Sequence, residues 1–362
     1  MTALILIVYG ISIAMVLLYF AYPLWLGLSS QKTTGKAEKE DIHAISLILL
    51  TYNGIAYLKD KVPLLLNELD NFSNSELIII DGNSSDGTQE FLQSTEVPGK
   101  VRIVTDKEHR GIPFAMNLGV SMAKYEHIVF CDQRQIIAKN SILKIIEPLR
   151  DLSIGAVSSC ISHIDKSLCC SWIRRHENFI KARESVSGNL IGVYGPLYAI
   201  RKCAYRPVPE DIILDDLYLS LKIMENKRVL IQPGCSIIDD GIAGIYTYDR
   251  ARRYLKGFIQ ILRDKTLWKN LNRRQQTMLV WHKYLRLVIP VSLFLSYLIT
   301  GLYGLNHIAF LSFFILSTLV IVISLIPGLS QRLQPLNYIR INFLYFIAVS
   351  DISLSYLIGR KI

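Results

Sequence analysis

The sequence predicts an α/β domain with a parallel sheet, flanked by helices that cross or lie on a membrane. Between Ala44 and Leu149, short apolar strands alternate four times with helical segments, which is the pattern of a parallel sheet with right-handed crossovers. Apolar runs at both ends of the chain are long enough to cross a bilayer. The 362 residues are 51% hydrophobic and carry a net charge of +10.

The first apolar run extends from Leu4 to Leu28 and contains no charged residue. At about 1.5 Å per helical residue it is long enough for a hydrocarbon core of ~30 Å. No basic residue precedes it and no small-x-small cleavage site stands out, so we expect a retained helix rather than a signal peptide. We therefore predict a transmembrane helix over residues 1–28 and a polar linker over 29–43.

Four apolar strands are predicted in the first half of the domain, at Ile45–Leu50, Leu77–Ile80, Val101–Val104 and His127–Cys131. Three of them end in polar turns, at Thr51–Gly54, Asp81–Ser84 and Asp132–Gln135. The carboxyl ends of parallel strands share one edge of a sheet, where such folds bind ligands. A nucleotide-type crevice is therefore expected there, although the P-loop and G-x-G-x-x-G patterns are absent.

Asp132 follows the fourth strand directly, with Arg134 two residues on. A carboxylate at a sheet edge is a common way to hold a divalent metal on a diphosphate. An Asp in such a loop also caps helices. The stretch alone leaves both interpretations open.

The second half of the domain is less regular. It predicts a strand at Ile154–Ile161, a charge-rich helix at Ser171–Ser185, a strand with a Gly-Pro break at Gly192–Ile200 and a strand at Val229–Ile231. Asp215 and Asp216 open a helix that runs to about Glu225. The helix dipole accounts for one acid at this position, but not for four acids within residues 210–216.

A basic helix is predicted over Ile245–Leu262, and Arg250, Arg253 and Gly257 share one face of it by 3–4 spacing. Two arginines on one face suit a diphosphate. A basic helix on anionic lipid headgroups has the same pattern. The two interpretations are compatible, because the residues that follow are rich in Trp, Phe and Leu.

Three apolar runs close the chain, at Leu287–Leu305, Ile308–Ile326 and Ile341–Ile358. The first two are predicted spans. The third contains Asp351, which is costly in lipid, and is predicted as a span or an interfacial helix. The domains expected from this pattern are a catalytic-type domain over 44–245, interfacial helices over 246–285 and membrane helices over 286–362.

Basic residues cluster beside the apolar runs, which predicts that the middle of the chain is cytoplasmic. Arg360 and Lys361 would fall outside if the last run spans the membrane and inside if it does not. A nucleic-acid partner is disfavoured, because the positive charge follows the membrane flanks.

From about Ala44 to Phe258, these motifs in this order resemble the membrane-bound family 2 glycosyltransferases, which include cellulose, chitin and hyaluronan synthases. The resemblance implies the GT-A fold, a Rossmann-like nucleotide-diphospho-sugar transferase fold. It implies Asp216 as the catalytic base and Asp132 as the metal ligand. Nucleotide contacts are expected from Thr51, Tyr52, Asn53, Asp81, Arg110 and Arg134. Acceptor or diphosphate contacts are expected from Asp215, Arg250, Arg253 and Tyr254.

Three positions depart from the family pattern. Gly82 stands where the acidic turn has its second Asp, Arg134 replaces the second Asp of Asp-x-Asp, and Tyr254 replaces Trp. One carboxylate with phosphates and waters can still hold Mg²⁺ or Mn²⁺. Arg134 can instead supply part of the charge that neutralises the diphosphate.

The expected activity is inverting transfer of a hexosyl or N-acetylhexosaminyl group. The donor would be a nucleotide diphosphate sugar, a UDP-sugar by the resemblance, and the acceptor a lipid-linked or growing polysaccharide at the cytoplasmic face of a bacterial-type membrane. A processive synthase that also translocates its polymer and a non-catalytic binding protein are the alternatives. The expected partners are donor, acceptor and membrane lipid, without nucleic acid. The sequence leaves the sugar, linkage and oligomeric state open.

Overall fold

The structure is a computed structural model that describes residues 2–28, 38–95, 99–163, 169–187, 189–239, 248–305, 307–326 and 334–357. The strands are β1 (Ala44–Thr51), β2 (Asn74–Asp81), β3 (Val101–Thr105), β4 (His127–Asp132), β5 (Ile136–Ile137), β6 (Ile154–His163), β7 (Leu197–Arg201) and β8 (Arg228–Asp239). The domain helices are α2 (Ile55–Leu69), α3 (Thr88–Thr95), α4 (Ile112–Met122), α5 (Ser141–Ile146), α6 (Cys169–Val186) and α7 (Asp215–Ile223).

The remaining helices are α1 (Thr2–Leu28), α8 (Tyr248–Arg263), α9 (Lys265–Asn270), α10 (Arg273–Leu279), α11 (Leu285–Gly304), α12 (Ile308–Ser324) and α13 (Gln334–Leu357). A π-helical segment at Val280–Tyr284 joins α10 to α11. Residues 240–247, which include the start of the predicted basic helix, lie outside the described residues.

One eight-stranded sheet forms the centre of the domain, in the order β3-β2-β1-β4-β7-β6-β8-β5. The four strands β3, β2, β1 and β4 are parallel, as predicted. The other half of the sheet is mixed, because β7 runs antiparallel to both β4 and β6, whereas β6 and β8 are parallel. Leu197 pairs with Cys131 at the carboxyl end of β4, so the chain, after α6, enters β7 at that edge and runs antiparallel to β4.

Two strand predictions are corrected. The predicted strand Gly192–Ile200 begins only at Leu197, and residues 192–196 form a loop instead. The strand predicted at Val229–Ile231 is the twelve-residue β8, whose pairing with β6 shifts register between Ser158 and Cys160. Pro233 and Gly234 lie in this irregular part. Both residue types are typical of strand ends and bulges, so the sequence pattern predicted a strand that ends at Ile231.

The core lies where α2 covers the parallel strands. Leu58, Val62, Leu65 and Leu69 of α2 are fully buried, as are the central residues of β1. Each such aliphatic side chain contributes about 1.5–3 kcal/mol of burial free energy. This packing fixes the register in which Thr51 pairs with Asp81, and Leu50 with Asp132. The prediction that three polar strand ends share one edge is therefore confirmed.

The apolar helices pack against one another beside the domain. The described helices at Ile7–Leu28 and Arg273–Gly304 are each long and apolar enough to cross a membrane. Ser12 of α1 and Ser296 of α11 are hydrogen-bonded at 3.0 Å. The last helix, α13, begins seven residues before the predicted apolar run, and its Asp351 forms a 2.8 Å ion pair with Arg252 of α8.

Candidate functional site

The turn after β1 is tied to the turn after β2. Asn53 has a left-handed backbone, with φ 47°, a conformation that Asn tolerates better than most residues. Its N–H donates to the Ser84 hydroxyl at 2.8 Å, and its side-chain oxygen accepts from the Ser85 N–H at 2.9 Å. Two of the predicted nucleotide-contacting turns therefore form one unit.

The turn after β1 is also tied to the strand end of β4. The Gln133 side-chain oxygen accepts from the Thr51 hydroxyl and, at 3.3 Å, from the Tyr52 N–H. The Gln133 amide donates to the Tyr52 carbonyl at 3.1 Å. Sequence reasoning did not single out Gln133, although it follows Asp132 directly at a polar strand end.

Tyr52 contacts the His109 ring, and the two ring planes are tilted by 45°. Their ring centroids are 4.3 Å apart, and the Tyr52 side chain is about half exposed. His109 has a left-handed backbone with φ 51°, and its Nδ1 is hydrogen-bonded to the Gly82 carbonyl at 2.5 Å. An exposed ring pair of this kind can stack on a nucleobase. His109 is absent from the sequence prediction, because no sequence pattern brings it to Tyr52.

Asp81 lies beneath these turns and is fully buried. Its carboxylate accepts hydrogen bonds from the Ser84 N–H, at 3.1 Å, and from the Ser84 hydroxyl. The structure thus gives Asp81 a clear part in shaping the acidic turn. A carboxylate has about four acceptor sites, so these bonds leave acceptor capacity for a further donor.

Arg110 is held at the start of α4. Its N–H donates to the Asp106 carboxylate at 2.7 Å, and its guanidinium Nε donates to the same group at 3.2 Å. The guanidinium also lies 3.3 Å from the centroid of the Phe114 ring. These contacts fix a partly exposed cation on the β2–β3 side of the crevice.

Asp132 ends β4 and is half-buried. Its N–H donates to the Pro196 carbonyl at 2.8 Å, and one carboxylate oxygen accepts from the Gln133 N–H at 3.1 Å. Arg134 is exposed. The capping interpretation is disfavoured, because the next helix begins only at Ser141 and no side-chain bond caps it.

Asp215 and Asp216 are the first two residues of α7. Burial and the charge of Asp216 together raise the pKa of Asp215 to about 7, with Arg253 opposing the shift. The charge of Asp132 acts on Asp215 in the same direction as Asp216. Burial also raises the pKa of Asp216, whose carboxylate accepts from the Leu217 N–H at 2.7 Å. The charges at the end of β4 and at the start of α7 thus act on one another.

The basic helix α8 lies against the segment that leads into α7. A Cβ at Gly257 would lie 2.5 Å from Cγ of Leu214, so the absence of a side chain permits this close approach. The Gln260 side chain accepts from the Ile213 N–H at 3.0 Å and donates to the Asp211 carbonyl at 2.7 Å. These contacts hold α8 beside the acidic pair.

The predicted basic face of α8 is present. Arg253 is exposed and acts on Asp215, whereas Arg250 and Tyr254 are half-buried. The Arg250 guanidinium lies 3.5 Å from the Tyr254 hydroxyl and 5.7 Å from the centroid of its ring. The structure therefore assembles Asp132, the acidic pair and the arginine face at one edge of the sheet.

The donors around Asp132 fit a divalent cation that is held mainly by its ligand. Within the described ranges, no cluster of three or more Asp, Glu, His or Cys side chains has the arrangement of a metal cage. The half-buried Asp132 nevertheless lies close enough to Asp215 to disfavour its ionisation, and a cation would relieve this repulsion. Mg²⁺ usually takes one or two carboxylates with phosphates and waters, which matches this arrangement.

Comparison with known proteins gives one family. Residues 46–205 match the Glycosyl transferase family 2. This range contains most of β1 and all of β2 to β7, and thus the three polar strand ends of the site.

Curated relatives come from staphylococci. The chain is 24% identical over 258 residues to a poly-beta-1,6-N-acetyl-D-glucosamine synthase of Staphylococcus epidermidis, covering 68% of this chain and 61% of the relative. It is also 24% identical over 238 residues to the synthase of the same name from Staphylococcus aureus strain COL. The chain spans about three fifths of the length of these relatives.

A solved structure matches almost the whole chain. It is a mannosyltransferase from Pyrobaculum calidifontis in complex with GDP-Man and Mn²⁺. The TM-score is 0.72 at 18% identity, and the match covers 98% of this chain and all of the other. This likeness shows that the fold extends across the domain and the apolar helices.

Proposed function

The chain belongs to the family 2 glycosyltransferases and has the GT-A fold, and from this premise we propose its reaction. It transfers a sugar from a UDP-sugar to a lipid-linked or growing glycan acceptor at the cytoplasmic face of a membrane. The main support is the half-buried carboxyl pair Asp215–Asp216, whose ionisation is opposed by burial and, for Asp215, by the charge of Asp132.

The nucleoside is bound by the linked turns after β1 and β2. The base stacks on Tyr52, while Thr51, Asn53 and the buried Asp81 shape the slot for its polar edge. Arg110 contributes a fixed cation at the rim of this slot, held by Asp106. Arg134, exposed beside Asp132, adds positive charge towards the diphosphate.

Asp216 removes the proton from the attacking acceptor hydroxyl. The hydroxyl oxygen attacks the anomeric carbon from the face opposite the nucleotide, so the configuration at that carbon is inverted. A base works best when its pKa is close to the working pH, and burial moves the pKa of Asp216 in that direction. Asp215 and Tyr254 orient the acceptor and the diphosphate.

The leaving diphosphate needs positive charge. Arg250 and Arg253 supply part of it from one face of α8, which Gly257 and Gln260 hold in place. Asp132 would hold a divalent cation, Mg²⁺ or Mn²⁺, which neutralises the diphosphate when bound. Charge neutralisation at the leaving group is commonly a large part of such catalysis.

The apolar helices keep the enzyme beside a lipid-anchored acceptor. Ile7–Leu28 and Arg273–Gly304 have the length and composition of spans. The basic residues of α8 and α9 directly precede the second of these helices in the chain, which favours the cytoplasmic side for the domain.

A donor screen tests this function. Purified enzyme in lipid would be given a panel of UDP- and GDP-sugars with Mg²⁺ or Mn²⁺, and release of free nucleotide would be measured with and without membrane-lipid acceptors. We expect release with a UDP-sugar and loss of more than 99% of it in Asp216→Asn, with donor binding retained. No release with any donor would contradict the proposal, and normal turnover by Asp216→Asn would contradict the base assignment.

A processive polysaccharide synthase is the second candidate, favoured by the names of the staphylococcal relatives. The same screen distinguishes it by product length. A processive enzyme in sealed inverted vesicles would accumulate long polymer inside them, whereas single addition would leave a short labelled product on the membrane.

A further inference from the structure

The loop of residues 192–196, called here the site loop, contacts the strand end that carries Asp132. The carbonyl of Pro196 accepts the Asp132 N–H at 2.8 Å. The Tyr194 N–H donates to the Ser158 hydroxyl at 2.8 Å. The loop is therefore fixed to the sheet at two points.

The site loop also contacts the helix that begins with the acidic pair. The Val193 N–H donates to the Ser220 hydroxyl at 3.0 Å, and this hydroxyl donates to the Asp216 carbonyl at 2.6 Å. A Cβ at Gly195 would lie 3.8 Å from a carboxylate oxygen of Asp216. Any shift of this loop would move the surroundings of the base.

A buried lysine holds the first residue of this loop. The Lys181 ammonium donates to the Gly192 carbonyl and lies 4.3 Å from the centroid of the Tyr194 ring. Only 2% of Lys181 is exposed. Gly192 has φ 84°, a left-handed conformation that this bond helps to fix.

Buried charges on α6 and the π-helical segment surround Lys181. Glu177 and Glu184 flank it on α6, and His282 lies 3.0 Å from Glu177 and 2.7 Å from Glu184. The Tyr22 hydroxyl of α1 donates to Glu184 at 2.6 Å. These contacts tie the helix that carries Lys181 to the first apolar helix.

Two further cations contact Glu177. Lys283 and Arg286 each lie 3.1 Å from a carboxylate oxygen of Glu177. Burial, with the charge of Lys283, lowers the pKa of Lys181 to about 7, and the charge of Asp216 acts in the opposite direction. Electrostatic interaction therefore links this cluster to the base.

Packing alone does not explain an ammonium group at this place. A methionine has a similar length and would fill the space without the cost of desolvating a charge. The bond to the Gly192 carbonyl is what the ammonium adds, and this bond acts on the site loop.

We propose that Lys181 is a positioning residue for sugar transfer, which holds the site loop so that Asp216 and Asp132 keep their places relative to donor and acceptor. This inference rests on the proposed function. Lys181 acts through the loop and has no direct contact with substrate.

The first test is Lys181→Met in the full-length enzyme in lipid. We expect kcat to fall at least tenfold, while the donor KM stays within about twofold, because the nucleoside turns lie on other elements. Lys202→Met is the matched control, since the Lys202 ammonium donates to a backbone carbonyl, that of Ala123, at 2.6 Å near the opposite edge of the sheet. The control should retain the wild-type kcat. A lower melting temperature with unchanged kcat in Lys181→Met would overturn the proposal.

Ser220→Ala is a second variant that leaves the charged cluster intact. It removes the hydroxyl that joins the Val193 N–H to the Asp216 carbonyl. We expect the same pattern as in Lys181→Met, with a reduced kcat and an unchanged donor KM. Wild-type kcat in this variant would show that the loop does not position the base.

Hydrogen exchange gives a readout that is independent of turnover. In Lys181→Met, the amides of residues 192–195 should exchange at least tenfold faster than in the wild type, with no change in Lys202→Met. Unchanged exchange would overturn the role of Lys181 in the loop, even if no donor were a substrate. Wild-type inactivity with all donors would instead refute the proposed function, so the two failures are distinguishable.

Discussion

At the residue scale, the acidic pair at the start of α7 should determine the pH dependence of turnover. Asp216 must be ionised to accept a proton, and burial opposes its ionisation. We therefore expect kcat/KM to fall on the acid side with a midpoint well above the ordinary aspartate pKa of ~4. The charge of Lys181 lowers the pKa of Asp216 and so opposes the effect of burial. Lys181→Met removes this positive charge, so the midpoint should move to higher pH, while Lys202→Met should leave it unchanged. An unshifted midpoint in Lys181→Met would contradict the electrostatic link.

The same pair affects stability with a defined sign. The pKa of Asp215 is raised to about 7 in the folded state, so the folded chain binds a proton that the unfolded chain releases near pH 4. The contribution of protonated Asp215 to the free energy of unfolding is fully present below the unfolded pKa and is lost as the pH rises through about 7.

Asp132 and Arg134 give a matched pair of variants for the metal. Asp132→Ala removes the carboxylate proposed to hold the cation, so added Mg²⁺ or Mn²⁺ should no longer strengthen nucleotide binding. Arg134→Asp restores an Asp-x-Asp pattern and should increase the metal-dependent gain. Calorimetric titration of the nucleotide with and without metal measures both. An undiminished metal effect in Asp132→Ala would exclude Asp132 as the ligand.

Some residues of the site could be predicted from local sequence, and others could not. The strand end of Asp132 and the helix start of Asp216 could be located from the sequence pattern, and the family resemblance supplied their expected roles. His109 could not be found in this way, because it reaches Tyr52 through a left-handed turn. The burial of Lys181 could not be predicted for another reason, because charged residues on a helix usually lie on its exposed face.

At the element scale, prediction succeeded where side-chain periodicity determines the structure. The strands β1 to β4 are short apolar runs between helices, and this pattern specifies parallel neighbours. The direction of β7 could not be predicted, because a buried parallel strand and a buried antiparallel strand can have the same apolar sequence pattern. It depends on the site loop, which returns the chain to the carboxyl end of β4.

The close approach of α8 gives a prediction at this scale. Gly257→Ala places a Cβ 2.5 Å from Cγ of Leu214, so α8 must shift away from the segment that leads into Asp215. Overpacking of this kind costs about 1–3 kcal/mol, and we expect kcat/KM to fall about tenfold as the arginine face moves. Gly10→Ala is the helical control, because nothing lies within 4 Å of its added Cβ. Equal activity of both variants in the donor assay would show that the close packing of α8 against Leu214 does not affect turnover.

At the scale of the whole molecule, the position of α13 decides the topology of the chain. Phe346 of α13 stacks on Phe294 in the first half of α11, with ring centroids 3.7 Å apart. Ile321, near the end of α12, lines the same small cavity. Further along α13, Asp351 is paired with Arg252 of α8. The contacts with α11 and α12 involve the half of α11 that follows α10 and the last turns of α12, and the ion pair joins α13 directly to α8.

We therefore propose that α13 lies along the cytoplasmic face of the membrane and does not cross it. A charged Asp351 is costly inside lipid, whereas next to α8 it lies at the level of the domain and neutralises a cation. The basic residues that follow α13 then stay on the cytoplasmic side, in agreement with the positive-inside rule.

Reporter fusions test this topology. Green fluorescent protein fused after Ile362 should fluoresce, and alkaline phosphatase at the same place should be inactive, because both would lie in the cytoplasm. Fusions after Leu305, between α11 and α12, should give the reverse result and serve as the control. Active phosphatase after Ile362 would mean that α13 crosses the membrane. In that case the contact between Asp351 and Arg252 would not form, because α8 lies with the catalytic domain.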